Sequence, residues 1–190
     1  YIISGDEITP YLVFMNSHDG SGAIKAAMTP IRVVCQNTLN LALSTAKRSW
    51  STNHTGDIQG KLSDARNTLL YAERYMKELG KAIDQLNRIR LSDQKVYEYI
   101  NALFPLADGA TETQKKNLLR LKDEVRLRYF EAPDLQHVGK NAYRFVNAVS
   151  DFATHAQPLK RRMNYRESLF AKTVEGNAMI DKAYELVQAA

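Results

Sequence analysis

Residues 57–90 read DIQGKLSDARNTLLYAERYMKELGKAIDQLNRIR, and this stretch decides how the rest of the chain is interpreted. Its apolar residues recur at alternating spacings of three and four, which places them on one face of an α-helix. Gly80 weakens such a helix by about 1 kcal/mol relative to alanine without breaking it. The pattern predicts one long helix from about Asp57 to Arg90. The apolar stripe consists of Leu62, Ala65, Leu69, Ala72, Met76, Leu79, Ile83 and Leu86.

Further helices are predicted downstream. Ser92 is an N-cap for a helix over 93–104, and a capping box of Thr111 and Gln114 starts a third helix that ends at about Phe130. The simplest arrangement is an antiparallel helical hairpin of the first and third helices, with the short helix packed at its tip.

The C-terminal part predicts two more helices. One covers 139–156 and is stopped by Pro158, and the last begins at about Tyr165 or Val174 and ends at Val187.

The N-terminal part predicts β-structure. Ile8 to Met15 is rich in β-branched and aromatic residues, and Tyr11–Met15 is apolar on both faces, which is typical of a central strand covered on both sides. A long polar loop leads into a returning strand at 23–28. Thr29-Pro30 should interrupt this strand because proline cannot donate to the ladder, and residues 31–35 should resume it.

The predicted fold class is α+β and mainly α, with strands leading into a helix and then the helical hairpin. The helix that directly follows the strands is predicted over Leu39–Ala46, and 49–60 is predicted to be a loop. We expect three parts: 1–48, completing a sheet whose first strands precede Tyr1; 49–135, the helical hairpin; and 136–190, helices that pack back on the core.

Composition limits the class of protein. The chain has 190 residues, 44% of them hydrophobic and 25% charged, which is ordinary for a globular protein. No run approaches the roughly 18 apolar residues of a membrane span, and Tyr1–Asp6 lacks the features of a secretory signal. One cysteine fits a reducing compartment. These observations predict a cytoplasmic protein without a membrane partner, and the start at tyrosine suggests a fragment.

Five stretches carry a resemblance to a known family. They resemble DUF932, a family of phage- and plasmid-like proteins of unknown function. The stretches are Tyr11–Asn16, Thr29–Leu39, Asn147–His155, Glu167–Phe170 and Lys182–Leu186. Ala171 stands where the family has a glycine. The resemblance implies a mobile-element origin, a bacterial cytoplasm and a longer N-terminus in other members, so that this chain corresponds to about their last two thirds. It implies no activity, cofactor or site residue.

Catalytic constellations are incomplete in this sequence. His18 and Asp19 are adjacent, and neighbouring side chains in an extended loop point apart, which is awkward for a catalytic dyad. The glycines around them fit a hairpin loop better than a phosphate cradle. Cys35 precedes a predicted helix start, where a thiol can become nucleophilic, but a buried structural role is favoured. The histidines and Cys35 lack zinc-ligand spacing, so no metal or cofactor is predicted.

The charge of Arg32 is predicted to need a partner group. Arg32 lies in a strand of isoleucine and valine, where its charge requires a carboxylate, a carbonyl or a ligand phosphate. A structural ion pair is slightly favoured over a nucleic-acid contact.

Asn147 and His155 lie two turns apart on one helix and can belong to one polar site.

Basic residues are unevenly distributed. The net charge is +5, yet residues 1–46 contain two basic and three acidic residues. The cations between Lys115 and Arg128 are interspersed with acids, which favours a salt-bridged helix face. A second group has no acid among its members and suits phosphate contacts with base stacking. It consists of Lys160, Arg161, Arg162, Tyr165 and Arg166.

The sequence therefore favours nucleic-acid binding over catalysis. The leading hypothesis is an accessory protein of a mobile element that binds nucleic acid, with single-stranded DNA preferred; the expected contacts are residues 160–166 and, more weakly, Arg32. The alternative is a protein–protein module, or a homo-oligomer, acting through the stripe of 62–86. An enzyme whose site is completed by residues before Tyr1 ranks third.

Overall fold

The computed structural model describes residues 1–16, 23–43, 49–53 and 56–156, positions 172 and 174, and residues 176–189. An N-terminal antiparallel sheet is followed by helices, which confirms the predicted mainly helical α+β class. The strands are β1 (Ile2–Ile3), β2 (Asp6–Met15), β3 (Ile24–Arg32) and β4 (Ser49–Thr52). The helices with described bounds are α1 (Ile58–Arg88), α2 (Asp93–Leu103), α3 (Glu112–Glu131), α4 (Ala142–His155) and α5 (Ala178–Gln188), with a 3₁₀ turn at Pro133–Leu135.

Proline does not interrupt β3, so that prediction was wrong. Pro30 pairs with Pro10 of β2 in the middle of a continuous register. The Val33 N–H donates to the Glu7 carbonyl, which shows that odd-numbered residues of β2 form the ladder with β3. Both prolines are even-numbered, so each nitrogen points away from the shared ladder and no hydrogen bond between the two strands is lost.

Strand β2 lies near the edge of the sheet, not at its centre. The strand order is β1-β2-β3-β4, and β1 pairs with β2 only at Asp6 and Glu7. Tyr11 is 53% exposed and Phe14 is 64% exposed. The predicted central strand, covered on both sides, was therefore wrong, because an apolar run does not distinguish a strand buried on both faces from an exposed one.

The segment after β3 also differs from the prediction. Residues 39–43 are not helical, and 44–48 lie outside the described part of the chain. Residues 37–41 are all buried, and the Leu39 N–H donates to the Pro30 carbonyl of β3 (2.9 Å) instead of to a helical carbonyl four residues earlier. Strand β4 pairs with Ile24–Ala27 where a loop was predicted, since four residues with two serines give too weak a strand signal.

The predictions for α1 to α4 hold closely, whereas α5 begins at Ala178, later than the predicted start at Tyr165 or Val174. Asp57 caps α1 by accepting hydrogen bonds from the Gln59 and Gly60 amides, and Ser92 caps α2. Thr111 and Gln114 form both hydrogen bonds of the predicted capping box. No helix in the described ranges combines the length and apolarity needed to cross a membrane.

The helical hairpin is arranged differently from the expectation. Among the described residues, α3 makes its main helix contacts with α4 and α2 instead of α1. Helix α4 also contacts α1 and α5 and is buried along most of its length, so it is the central helix of the core. Among the described side chains of the α1 stripe, those from Met76 to Leu86 are fully buried, whereas Leu62 is 59% exposed.

Candidate functional site

A tight turn at the end of β3 positions the most polar part of the core. The Gln36 N–H donates to the Arg32 carbonyl (2.8 Å), and the Arg32 N–H donates to the Asn37 carbonyl (3.0 Å). Gln36 adopts φ +55°, the left-handed conformation that closes such turns. The turn folds Cys35 back on its own strand, so that the Arg32 guanidinium donates to the Cys35 Sγ at 3.4 Å.

Arg32 is fully buried between two carboxylates. Its Nη2 donates to Asp6 Oδ1 (2.8 Å) and to the Asp134 carbonyl (2.9 Å), and its Nη1 donates to Asp134 Oδ2 (2.5 Å). Burial alone would lower the pKa of Arg32, but the hydrogen bond and the charge of Asp6 outweigh it and raise that pKa above its ordinary value. The side chain is held as a cation in the structural ion pair that the sequence slightly favoured.

Asp6 and Asn37 extend this arrangement onto α4. The Tyr143 hydroxyl donates to Asp6 Oδ2 (2.8 Å), which occupies the second oxygen of that carboxylate. Asn37 Nδ2 donates to the carbonyl and to the Oδ1 of Asn147, each at 3.4 Å. We call the resulting group the Arg32 cluster. It consists of Asp6, Arg32, Cys35, Asn37, Asp134, Tyr143 and Asn147.

Cys35 is held as a neutral thiol. Its Sγ donates to Asn37 Oδ1, and the side chain is half-buried. Burial raises the pKa of the Cys35 thiol, and the hydrogen bonds from Asn37 and Arg32 offset this only in part. The nearby His155 Nε2 lies 2.9 Å from the Cys35 carbonyl oxygen, so its hydrogen bond is to the backbone and not to the thiol. This geometry favours a structural thiol over a nucleophile.

Two of the stretches that carry the family resemblance, Thr29–Leu39 and Asn147–His155, meet at this cluster. Asn37 contacts Asn147, the Ser150 hydroxyl donates to the Thr38 carbonyl, and His155 contacts the Cys35 carbonyl. Asn147 and His155, predicted to belong to one polar site, thus both contact the segment from Cys35 to Thr38. These polar residues join the segment after β3 to the central helix.

Sequence reasoning missed the acidic partners of Arg32. Asp6 lies 26 residues and Asp134 lies 102 residues away along the chain. Neither residue stands in a distinctive motif, so periodicity and spacing carried no signal for the pairing. Tyr143, at the start of α4, was likewise indistinguishable from an ordinary aromatic core residue.

The Arg32 cluster has little capacity for chemistry. Its two charged acids are paired with Arg32, and its thiol and amides are hydrogen-bonded to one another. Among the described residues, no three histidine, cysteine or acidic side chains are arranged to hold a metal ion. The arrangement connects the sheet to the helices through buried hydrogen bonds and ion pairs.

Most of the cations of α3 are paired with neighbouring acids. Lys115 pairs with Glu112, Arg120 with Glu124, and Arg126 with Asp123. The salt-bridged helix face predicted for residues 115–128 is confirmed. The other predicted nucleic-acid contacts, Lys160, Arg161, Arg162, Tyr165 and Arg166, lie outside the described residues, as do His18 and Asp19.

A family model matches nearly the whole chain. The model of the family "Domain of unknown function (DUF932)" matches residues 1–185 of the 190. No curated protein and no solved structure matches the chain. Because the family model spans nearly all of the sequence, the chain belongs to the DUF932 family.

Proposed function

We propose that this chain is a nucleic-acid-associated accessory protein of a phage or plasmid, and that it binds single-stranded DNA. The observation that carries the proposal is the order of its N-terminal elements. Three antiparallel strands, β2, β3 and β4, are followed directly by α1, a helix of 31 residues. A strand–strand–strand–helix order is compatible with phage strand-annealing proteins, an analogy at the level of fold.

Aromatic side chains on the sheet support this proposal. Phe14, Ala26 and Trp50 are consecutive in register across β2, β3 and β4, so their side chains lie on one face. Phe14 is largely exposed and Trp50 is half-buried, while the small Ala26 separates them. Tyr11, on the opposite face, is also exposed. Exposed rings stack on bases without sequence preference, which is the usual means of holding single strands.

Charge supplies the second part of the argument. The cations of α3 that pair with acids have little attraction left for phosphate. Residues 160–166 contain four basic residues and no acid, so their charge is not offset locally. This basic segment follows the C-terminal end of α4 and is the best candidate for phosphate contacts.

Charge reversal with a matched control tests the assignment. The test variant is Lys160→Glu/Arg161→Glu/Arg162→Glu, and the control is Lys115→Glu/Arg120→Glu/Arg126→Glu, which changes net charge by the same amount at three cations that already pair with acids. Fluorescence anisotropy with a labelled oligothymidine should show binding weakened in the test variant only. For three lost phosphate contacts, the slope of log affinity against log salt should fall by about 2. Equal effects of both variants would contradict a specific role for 160–166.

A second candidate function rests on α1. Leu62, Leu70 and Tyr71 are 59%, 70% and 48% exposed, so the N-terminal half of this helix presents apolar side chains to solvent. Such a surface fits an amphipathic partner helix. A protein–protein module would lose its partner, but not its DNA binding, on substitution of Leu62 by lysine.

A further inference from the structure

A groove lies between α2 and α3 and encloses a cavity of about 200 Å³. Among the residues that line it, Ile100 is buried, whereas the side chains of Tyr97 and Leu119 are 46% and 65% exposed. A concave surface with exposed apolar side chains beside a buried one suits an apolar side chain of a ligand. We call this site the α2–α3 groove.

Two cations of α3 line the same groove and keep unused hydrogen-bond donors. Lys122 Nζ donates to the neutral Asn101 Oδ1 (2.9 Å) and pairs with no acid among the described residues. Arg126 Nε donates to Asp123 Oδ1 (2.7 Å), and Arg126 Nη1 lies 3.6 Å from Glu131 Oε1, which is too long for a hydrogen bond. Positions 122 and 126 are about one helical turn apart, so both side chains can reach the same anionic group.

The charges around the groove favour a carboxylate over a nucleic-acid backbone. Asp123 lines the groove and Glu131 lies beside Arg126, so both acids repel a chain that carries a negative charge at every nucleotide. A single carboxylate needs only the charge of Lys122 and the unused Nη donors of Arg126. The apolar walls and these donors together match a ligand that carries both an apolar side chain and a carboxylate.

We infer that the α2–α3 groove binds an acidic peptide segment of another protein. One apolar side chain of the peptide enters between Tyr97 and Leu119 and covers their exposed area. A neighbouring carboxylate accepts hydrogen bonds from Lys122 and Arg126, which fixes the position of the peptide along α3. The inference does not depend on the proposed DNA binding, and it uses a different surface from the exposed leucines of α1.

Fluorescence anisotropy of the full chain with a labelled peptide of three aspartates followed by two leucines tests this inference. We expect saturable binding of this peptide. Replacing its aspartates by asparagines, or its leucines by serines, should weaken binding by roughly tenfold or more, because each change removes one half of the contact. No saturable binding of the first peptide, or equal binding of all three, would overturn the inference.

Two pairs of variants locate the peptide on the chain. Lys122→Glu should weaken peptide binding by roughly tenfold, whereas Lys116→Glu, which reverses an exposed charge of the same helix outside the groove, should not. Leu119→Asn should weaken binding similarly, whereas Leu62→Asn, which changes a similarly exposed leucine on α1, should not. Loss of binding in the controls but not in the groove variants would place the peptide elsewhere and overturn the inference.

Competition with unlabelled oligothymidine separates the two classes of ligand. We expect oligothymidine to leave the peptide bound, and Lys122→Glu to leave oligothymidine binding unchanged. Displacement of the peptide, together with weaker oligothymidine binding in Lys122→Glu, would assign the groove to nucleic acid and contradict a peptide site. A chain that binds the peptide but no oligothymidine would contradict the proposed DNA binding alone.

Discussion

Arg32 and Asp134 are 102 residues apart in the chain, yet the Arg32 guanidinium donates to both the carboxylate and the backbone carbonyl of Asp134. Asp134 lies in the 3₁₀ turn between α3 and α4, and Arg32 is the last residue of β3. The pair, together with Asp6, therefore fixes the sheet against the helical part of the chain. The stability of the whole fold should depend on it.

Removing Arg32 should be strongly destabilising. Arg32→Met leaves Asp6 and Asp134 without their cation, and breaking a buried ion pair in this way costs about 3–5 kcal/mol. Urea denaturation followed by circular dichroism measures the loss. The control Arg120→Met removes a solvent-accessible pair with Glu124 and should cost less than about 1 kcal/mol. Equal losses in the two variants would refute the special role of Arg32.

The free energy of unfolding should decrease at high pH because of the buried Tyr129 hydroxyl. Burial raises the pKa of Tyr129 to about 12 from the usual 10.0. The unfolded chain releases this proton first, so stability is complete below pH 10 and decreases as the pH rises from 10 to about 12. The Tyr129 hydroxyl is buried and has no hydrogen-bond partner among the described residues.

Tyr129→Phe should therefore retain or exceed the stability of the natural chain at pH 7, since no hydrogen bond to another described residue is lost. Its stability should also decrease less between pH 10 and 12. Urea denaturation at pH 7, 10 and 11.5 checks both statements. A large loss at pH 7 would show that the hydroxyl has a partner that the described residues do not include.

Cys35 should react slowly with alkylating reagents. Burial raises the pKa of its thiol, so the thiolate that reacts is scarce at pH 7.5. The rate of iodoacetamide modification in the native protein should be well below the rate in urea, and it should increase steeply with pH. A native rate that equals or exceeds the unfolded rate would indicate an activated thiol and would revive an enzymatic hypothesis.

Asn37 and Asn147 should be energetically coupled. Their side chains are hydrogen-bonded to each other, and both are buried. In a double-mutant cycle with alanine, we expect an interaction energy of about 0.5–3 kcal/mol, the range found for contacting pairs. A control cycle of Asn37 with Asn101, which is exposed on α2, should give additive effects. Additivity in the first cycle would contradict a stabilising contact between Asn37 and Asn147.

The helical part of the fold could be predicted from sequence because its signals are local. The stripe of α1, the Ser92 cap and the Thr111–Gln114 capping box each depend on residues within a few turns. The packing of α3 on α4 could not be predicted, because several apolar stripes were available as partners. An apolar stripe identifies which face of a helix is buried, but it does not identify the element that packs against that face.

The sheet and the site were harder to predict for a different reason. Tyr11–Met15 and Leu39–Ala46 are apolar segments whose structure depends on what packs against them, and both predictions were wrong where the structure describes them. The Arg32 ion pair could be anticipated only as a requirement for some partner. Its partners come from β2 and from the turn before α4, contacts that no single sequence reveals.

Direct binding of the natural chain to DNA tests the central claim. Fluorescence anisotropy should compare a labelled single-stranded oligonucleotide with the same sequence as a duplex, each at two salt concentrations. The proposal predicts submicromolar binding to the single strand, weaker binding to the duplex, and a steep loss of affinity at the higher salt. No binding to either at low salt would contradict the proposal and favour the interaction surface on α1.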